Sequence, residues 1–102
     1  MARRLQLHEK LCEILGSRNA YFQPPPSVKL NYPCIIYKIA KRERTKANNA
    51  SYIKRIRYDV TVITKDPDSD LPDRLLDSFL YIEHDRTYPA DNLYHDVFTL
   101  YY

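Results

Sequence analysis

The sequence predicts an α+β domain: a mixed or antiparallel β-sheet with a long projecting β-hairpin and two helices packed on one face. Three observations lead there. Apolar residues recur at helical spacing in two separate segments, 3–15 and about 71–82. Between them, Ile56, Tyr58, Val60 and Val62 alternate with Arg57, Asp59 and Thr61, the period of a strand with one buried face. The chain has 102 residues, 44% apolar and 28% charged. That length supports one domain over 1–102, burying about 60–70% of its unfolded surface.

In the first helix, Leu5, Leu7, His8, Leu11, Cys12, Ile14 and Leu15 fall on one half of the wheel. Gln6, Glu9, Lys10 and Glu13 fall on the other, with Lys10 and Glu13 spaced for a weak pair. Gly16 stands where a helix end wants a left-handed residue. It is the only glycine, so other left-handed positions fall to Asn or Asp. Tyr21-Phe22-Gln23 is a short apolar run stopped by Pro24-Pro25-Pro26, a rigid edge or link.

Pro33 opens a β-rich strand over 34–40, apolar on both faces in its first half and therefore central. It turns basic through Lys46. Asn48-Asn49 marks a turn, and 53–64 is the return strand. The resulting arm, about 38–60, has an apolar base and a basic, polar tip that projects beyond the core. Residues 65–70 form a loop. The second helix follows, with Asp70 as N-cap, Pro72 in the first turn and Asp73 at the positive end. Its buried stripe is Leu71, Leu75, Leu76, Phe79 and Leu80. Strands at Arg86-Thr87-Tyr88 and 93–102 close the fold, joined through Pro89-Ala90-Asp91-Asn92. Tyr94, Phe98, Leu100 and Tyr102 share a face of the last one.

Several chemistries are excluded or disfavoured. One glycine cannot build a phosphate-cradling Walker loop or a dinucleotide fingerprint. Cys12 and Cys34 read as two buried thiols in a reducing compartment, without zinc-site spacing. Asp66, Asp68 and Asp70 alternate like the start of a calcium loop. Leu71 and Asp77 then stand where glycine and glutamate are needed, so helix capping explains these acids better. His84, Asp85, Asp91, His95 and Asp96 cluster in sequence, yet strand neighbours such as His95 and Asp96 point to opposite faces. Surface hydrogen bonding fits them better than a metal or acid–base catalysis. Ser17, Ser27, Ser51, Ser69 and Ser78 lie in no nucleophile-elbow context. No catalytic, cofactor-binding or metal residue is expected, and the chain does not read as an enzyme. No apolar run approaches the roughly 20 residues that span a bilayer. The opening Met-Ala-Arg-Arg-Leu has no apolar core behind it, which argues against secretion.

Charge is segregated. Residues 1–37 are net +3, residues 38–57 net +7 and residues 58–102 net −7. A basic arm on an acidic body can associate head to tail with its own kind, because complementary patches steer encounter and fix register. The ten tyrosines exceed what one small core holds with every hydroxyl satisfied. Some belong at contacts between subunits. A rival reading is a small nucleic-acid-binding module, with the hairpin's cations on phosphates and Tyr52 and Tyr58 stacking on bases. The acidic remainder opposes that reading.

Three segments carry a resemblance. They are Tyr32-Pro33-Cys34-Ile35-Ile36-Tyr37 with the basic hairpin, the run from Tyr58-Asp59-Val60-Thr61 to Asp66-Pro67-Asp68-Ser69, and the ending from Asp91-Asn92-Leu93-Tyr94 to Leu100-Tyr101-Tyr102. Together they resemble the small tail-terminator, or tail-completion, proteins of long, flexible-tailed phages, in order and over nearly the whole chain. The resemblance implies a hexameric ring on the end of the tail tube that halts tube polymerisation and joins the neck of the filled head. Its partners would be further copies of itself, the tail tube protein and a neck or head-completion protein. DNA would pass through the lumen without sequence recognition. The protein would sit at the tail–neck junction of the virion and, during assembly, in the host cytoplasm. Another neck or head-completion protein is the nearest structural alternative; two helices argue mildly against it. The family supplies no motif for contact residues. Charge and exposure select Lys41, Arg42, Arg44, Lys46, Lys54, Arg55 and Arg57 on the hairpin, facing Asp66, Asp68, Asp70, Asp85 or Asp91 of a neighbour.

Overall fold

The computed structural model describes residues 3–25, 27, 29–46 and 52–102, with backbone alone at residues 3, 41–46 and 52–55. The elements are α1 (Arg3–Leu15), β1 (Ala20–Phe22), β2 (Cys34–Lys46), β3 (Tyr52–Thr64), α2 (Leu71–Ser78), β4 (Ile82–Ala90) and β5 (Leu93–Tyr101). The architecture is α+β. One five-stranded sheet has the order β1-β2-β3-β5-β4, with β1 parallel to β2 and every other pair antiparallel. Parallel neighbours need a crossover, which the proline-bearing segment after Gln23 provides.

Strand alternation selects the buried face. Ile35 and Tyr37 of β2, Tyr58, Val60 and Val62 of β3, and Phe98 and Leu100 of β5 are fully buried. They form one core with Leu7, Leu11, Cys12 and Leu15 of α1 and Leu71 and Leu75 of α2, so both helices pack on this face. Lys10 sets its ammonium 4.7 Å from the Phe79 ring centre, a cation–π contact near where the helices meet. A smaller cluster lies on the other face. There Tyr21, Leu30 and Ile36 pack on Cys34, Ile63 and Leu93, and the Asn31 N–H donates to the Tyr21 hydroxyl.

Left-handed positions follow the glycine-poor composition. Gly16 ends α1 at φ 80, its N–H donating to the Cys12 carbonyl. Asp91 and Asn92, at φ 53 and 62, form a two-residue turn between paired Ala90 and Leu93, the geometry that suits hairpin twist. Gln23 is also left-handed, at φ 44, which the sequence does not signal.

Several expectations need correction. The second helix ends at Ser78, four residues before Ile82. Ser78 Oγ donates to the Arg74 carbonyl, a back-bond that competes with continued helix. Phe79 is already extended at φ −127 and ψ 146, and Ile82 enters β4 opposite Leu100. Leu80 therefore leaves the buried stripe and is 86% exposed. Asp70 makes no side-chain cap bond; Ser69 Oγ accepts from the Leu71 N–H instead. Leu5 is exposed at the rim of α1. The strand expected at 86–88 runs over all of Ile82–Ala90. The Asn48-Asn49 turn lies outside the described residues.

Leu75→Ala is expected to cost about 2–5 kcal/mol, because a fully buried side chain leaves a cavity. Leu80→Ala is expected to stay within about 0.5 kcal/mol; urea melts of the two variants check where the stripe ends. Gly16→Ala is expected to cost about 1 kcal/mol. No atom lies within 4 Å of the added Cβ, so that loss is conformational.

Candidate functional site

The strand register orders the charged residues along the sheet. At one end β2 and β3 continue as a pair from Lys41↔Arg57 to Lys46↔Tyr52. The third strand reaches only as far as Tyr101↔Arg57 and the Tyr102 N–H bond to the Ile56 carbonyl. Two rungs set cation against cation, Lys41↔Arg57 and Arg44↔Lys54, and one sets Glu43 against Arg55. Like charges directly opposite destabilise a ladder, so this end holds positive potential that its own register does not neutralise. Lys41, Arg42, Arg44, Lys46, Lys54 and Arg55 enter only by strand position. Arg57 is half-buried, and its Nε has no hydrogen-bond partner among the described residues.

The opposite end closes on the rung Thr64↔Tyr94. Beyond it lie the 65–70 loop and the Asp91-Asn92 turn, where Lys65 and residues 89–94 line one shallow cleft. Asp66 accepts the Asp68 N–H at 2.9 Å, and its carbonyl accepts from Thr64 Oγ1. Asp70 reaches Arg74 Nε at 3.5 Å. Asp66, Asp68, Asp70 and Asp91 are all exposed. Asp85 stands apart from them, at the register shift in β4, where its Oδ2 accepts from Thr99 Oγ1 at 2.7 Å. The basic rungs and the acidic loops thus occupy opposite ends of β3, and Asp85 belongs to neither end.

The histidines separate as strand alternation requires. His84 Nε2 lies 2.9 Å from Thr87 Oγ1 and 3.2 Å from Asp96 Oδ1, while Thr87 Oγ1 donates to Asp96 Oδ1. His95 instead stacks on Tyr88, ring centres 4.9 Å apart. Among the described residues no three His, Cys, Asp or Glu side chains converge as metal ligands. Cys12 and Cys34 are free and buried in different clusters. Burial pushes the Cys34 thiol up to about 11, away from the thiolate that reactivity needs.

Sequence reasoning missed one polar group in the core. Tyr37 is fully buried, its hydroxyl 2.6 Å from His8 Nδ1 and 3.5 Å from Arg4 Nη1. Desolvation raises the phenol's pKa, and Arg4 opposes the rise. The available signal was His8 on the apolar half of the first helix. Among the tyrosines, Tyr37 and Tyr58 fill the core, while Tyr32, Tyr81 and Tyr88 are exposed. No helix among the described residues is long and apolar enough to cross a membrane. Compared with protein-family models and with curated proteins, the chain matches none.

The raised Cys34 pKa fixes a pH dependence. The unfolded thiol ionises near 9.0 and the folded one near 11, so its contribution is complete below 9.0 and lost as pH rises toward 11. The urea midpoint is expected to fall across that window, and to fall less in Cys34→Ala.

Proposed function

We propose that this protein is a structural subunit of a phage tail, closing as a ring on the tail tube, ending tube growth and presenting the surface that joins the neck. The observation that supports this reading is the charge polarity of the sheet, with cation-on-cation rungs at one end of β3 and the acidic loops at the other. A ring needs two different, complementary patches on each subunit and a rotation that closes. In this reading the basic pair of strands of one copy meets Asp66, Asp68, Asp70 and Asp91 of the next, and Asp85 stays outside the contact. The sequence resemblance to tail terminators points the same way, and exposed tyrosines supply contact area. The proposed location is the tail–neck junction of the virion.

Electron microscopy of the purified protein, alone and with tail tubes, tests the reading. Rings at one tube end are expected. Arg44→Glu with Arg55→Glu should weaken ring formation by about tenfold or more, since several exposed pairs act together. Asp68→Lys with Asp91→Lys in the same chain should restore part of the loss. Tubes that stay uncapped, or charge reversal without effect on assembly, overturns it. Sub-micromolar binding to duplex DNA with a steep salt slope supports the nucleic-acid module instead.

A further inference from the structure

The two outer edges of the sheet are built differently. On β4 the edge carries Pro89, which has no N–H, and a register shift between His84 and Arg86. The missing donor is what blunts this edge against an added strand, since β2 carries a register shift of its own, between Ile39 and Lys41. On the far side β1 covers β2 only at Ile35, Ile36 and Tyr37. Gln23 then turns out of the sheet at φ 44. Its N–H donates to the Tyr37 carbonyl, and its side-chain Oε1 accepts the Ile39 N–H at 3.1 Å. A side chain thus fills the bond that the next residue of a longer β1 would make.

Past Ile39 no described strand flanks β2 on that side. Residues 40–46 include a register shift at Ala40 and no proline. Alternate N–H and C=O groups of such an edge point away from the sheet and are open to pairing. The segment 38–46 carries Lys38, Lys41, Arg42, Arg44 and Lys46 against Glu43 alone. That charge repels a second copy of the same edge and complements an anionic strand.

We propose that the outer edge of β2, from Ile39 to Lys46, accepts an extended acidic segment of another protein as an added strand, with Gln23 as the stop that keeps β1 short. Backbone bonds give such a contact its affinity, and carboxylates on the added strand match the basic edge. The occupant is a different protein because this chain's own acids are unsuited. Asp66, Asp68 and Asp70 lie in a loop broken by Pro67, and Glu83 and Asp85 lie on the blunted strand. The ring reading uses the charge of the strand pair; this inference uses its backbone and does not depend on the ring.

The test is a titration of the isotope-labelled full chain with a short synthetic peptide repeating Thr-Glu-Val-Glu, read by amide shifts and amide exchange. Shifts and slowed exchange are expected at residues 39–46. N-methylation of alternate backbone nitrogens in the peptide should weaken binding by about tenfold or more, because several bonds are lost together. The lysine counterpart of the peptide should not bind. Gln23→Ala frees the Ile39 N–H for the peptide and should tighten binding by about threefold. Gln23→Met, which keeps the length without the acceptor, should do the same, whereas a purely structural role for Gln23 lowers the melting temperature and leaves affinity unmoved. Equal binding of the N-methylated peptide, shifts centred on β4, or protection of 39–46 that grows with protein concentration alone each overturn the proposal. Uncapped tail tubes bear only on the ring.

Discussion

β3 is paired on both sides over Arg57–Thr64, with β2 and β5, and on one side only over its first residues. Where it is central, Tyr58, Val60 and Val62 are fully buried beneath the helices. Where a flanking strand is missing, the sequence has turned to Lys54 and Arg55. A central strand cannot bury cations without partners, because desolvating a charge costs far more than an apolar contact returns. The change of composition near Arg57 coincides with the end of the pairing with β5, at Arg57↔Tyr101. Arg57 sits at that boundary, half-buried, its Nε without a hydrogen-bond partner among the described residues. The core-facing stretch and the basic stretch are thus two parts of one strand, with the acidic loops beyond its far end.

The energetic scales explain why the arrangement is tolerable. Each cation-on-cation rung costs a few tenths to about 1 kcal/mol, and there are two of them. A single well-buried leucine returns about 1.5–3 kcal/mol. The helix-covered core contains several such residues, so the cost of one rung is small beside a single core contact. What remains is a positive end whose repulsion an anionic partner would relieve. At the acidic end, Asp66 accepts the Asp68 N–H and Asp70 reaches Arg74.

Much of the fold was legible in the sequence because its signals are periodic. The first helix spans 3–15 as its wheel predicts, and the alternation over Ile56–Val62 specifies the face that is buried. The misses fall where a local competitor is not periodic. Ser78 closes α2 early with one back-bond, and Leu80 then loses the partner its spacing implied. Asp70 looks like a cap by residue type, while the neighbouring Ser69 has the geometry. The His8–Tyr37 contact joins residues 29 apart, which no window of local pattern brings together. The residues proposed for contact divide likewise. Their charges were readable, but only the register showed that Asp85 lies away from Asp66, Asp68, Asp70 and Asp91.

The opening rarity of glycine bears on the sheet edges as well. Asp91 and Asn92 take left-handed backbone readily, since short polar side chains tolerate it. Gln23 has no such ease, and holding a residue of its kind at positive φ costs about 1–2 kcal/mol. Two bonds to β2 compensate, one from its N–H and one to its side-chain oxygen. A strand that merely ran out of β-forming residues would need no such fixture. At β4 the chain limits pairing by removing a donor, with Pro89. At β1 it stops the strand and satisfies a single donor, and the donors of β2 beyond Ile39 stay in place. The first device removes a donor from an edge; the second leaves β2 past Ile39 with no described strand on that side, on the most basic segment of the chain.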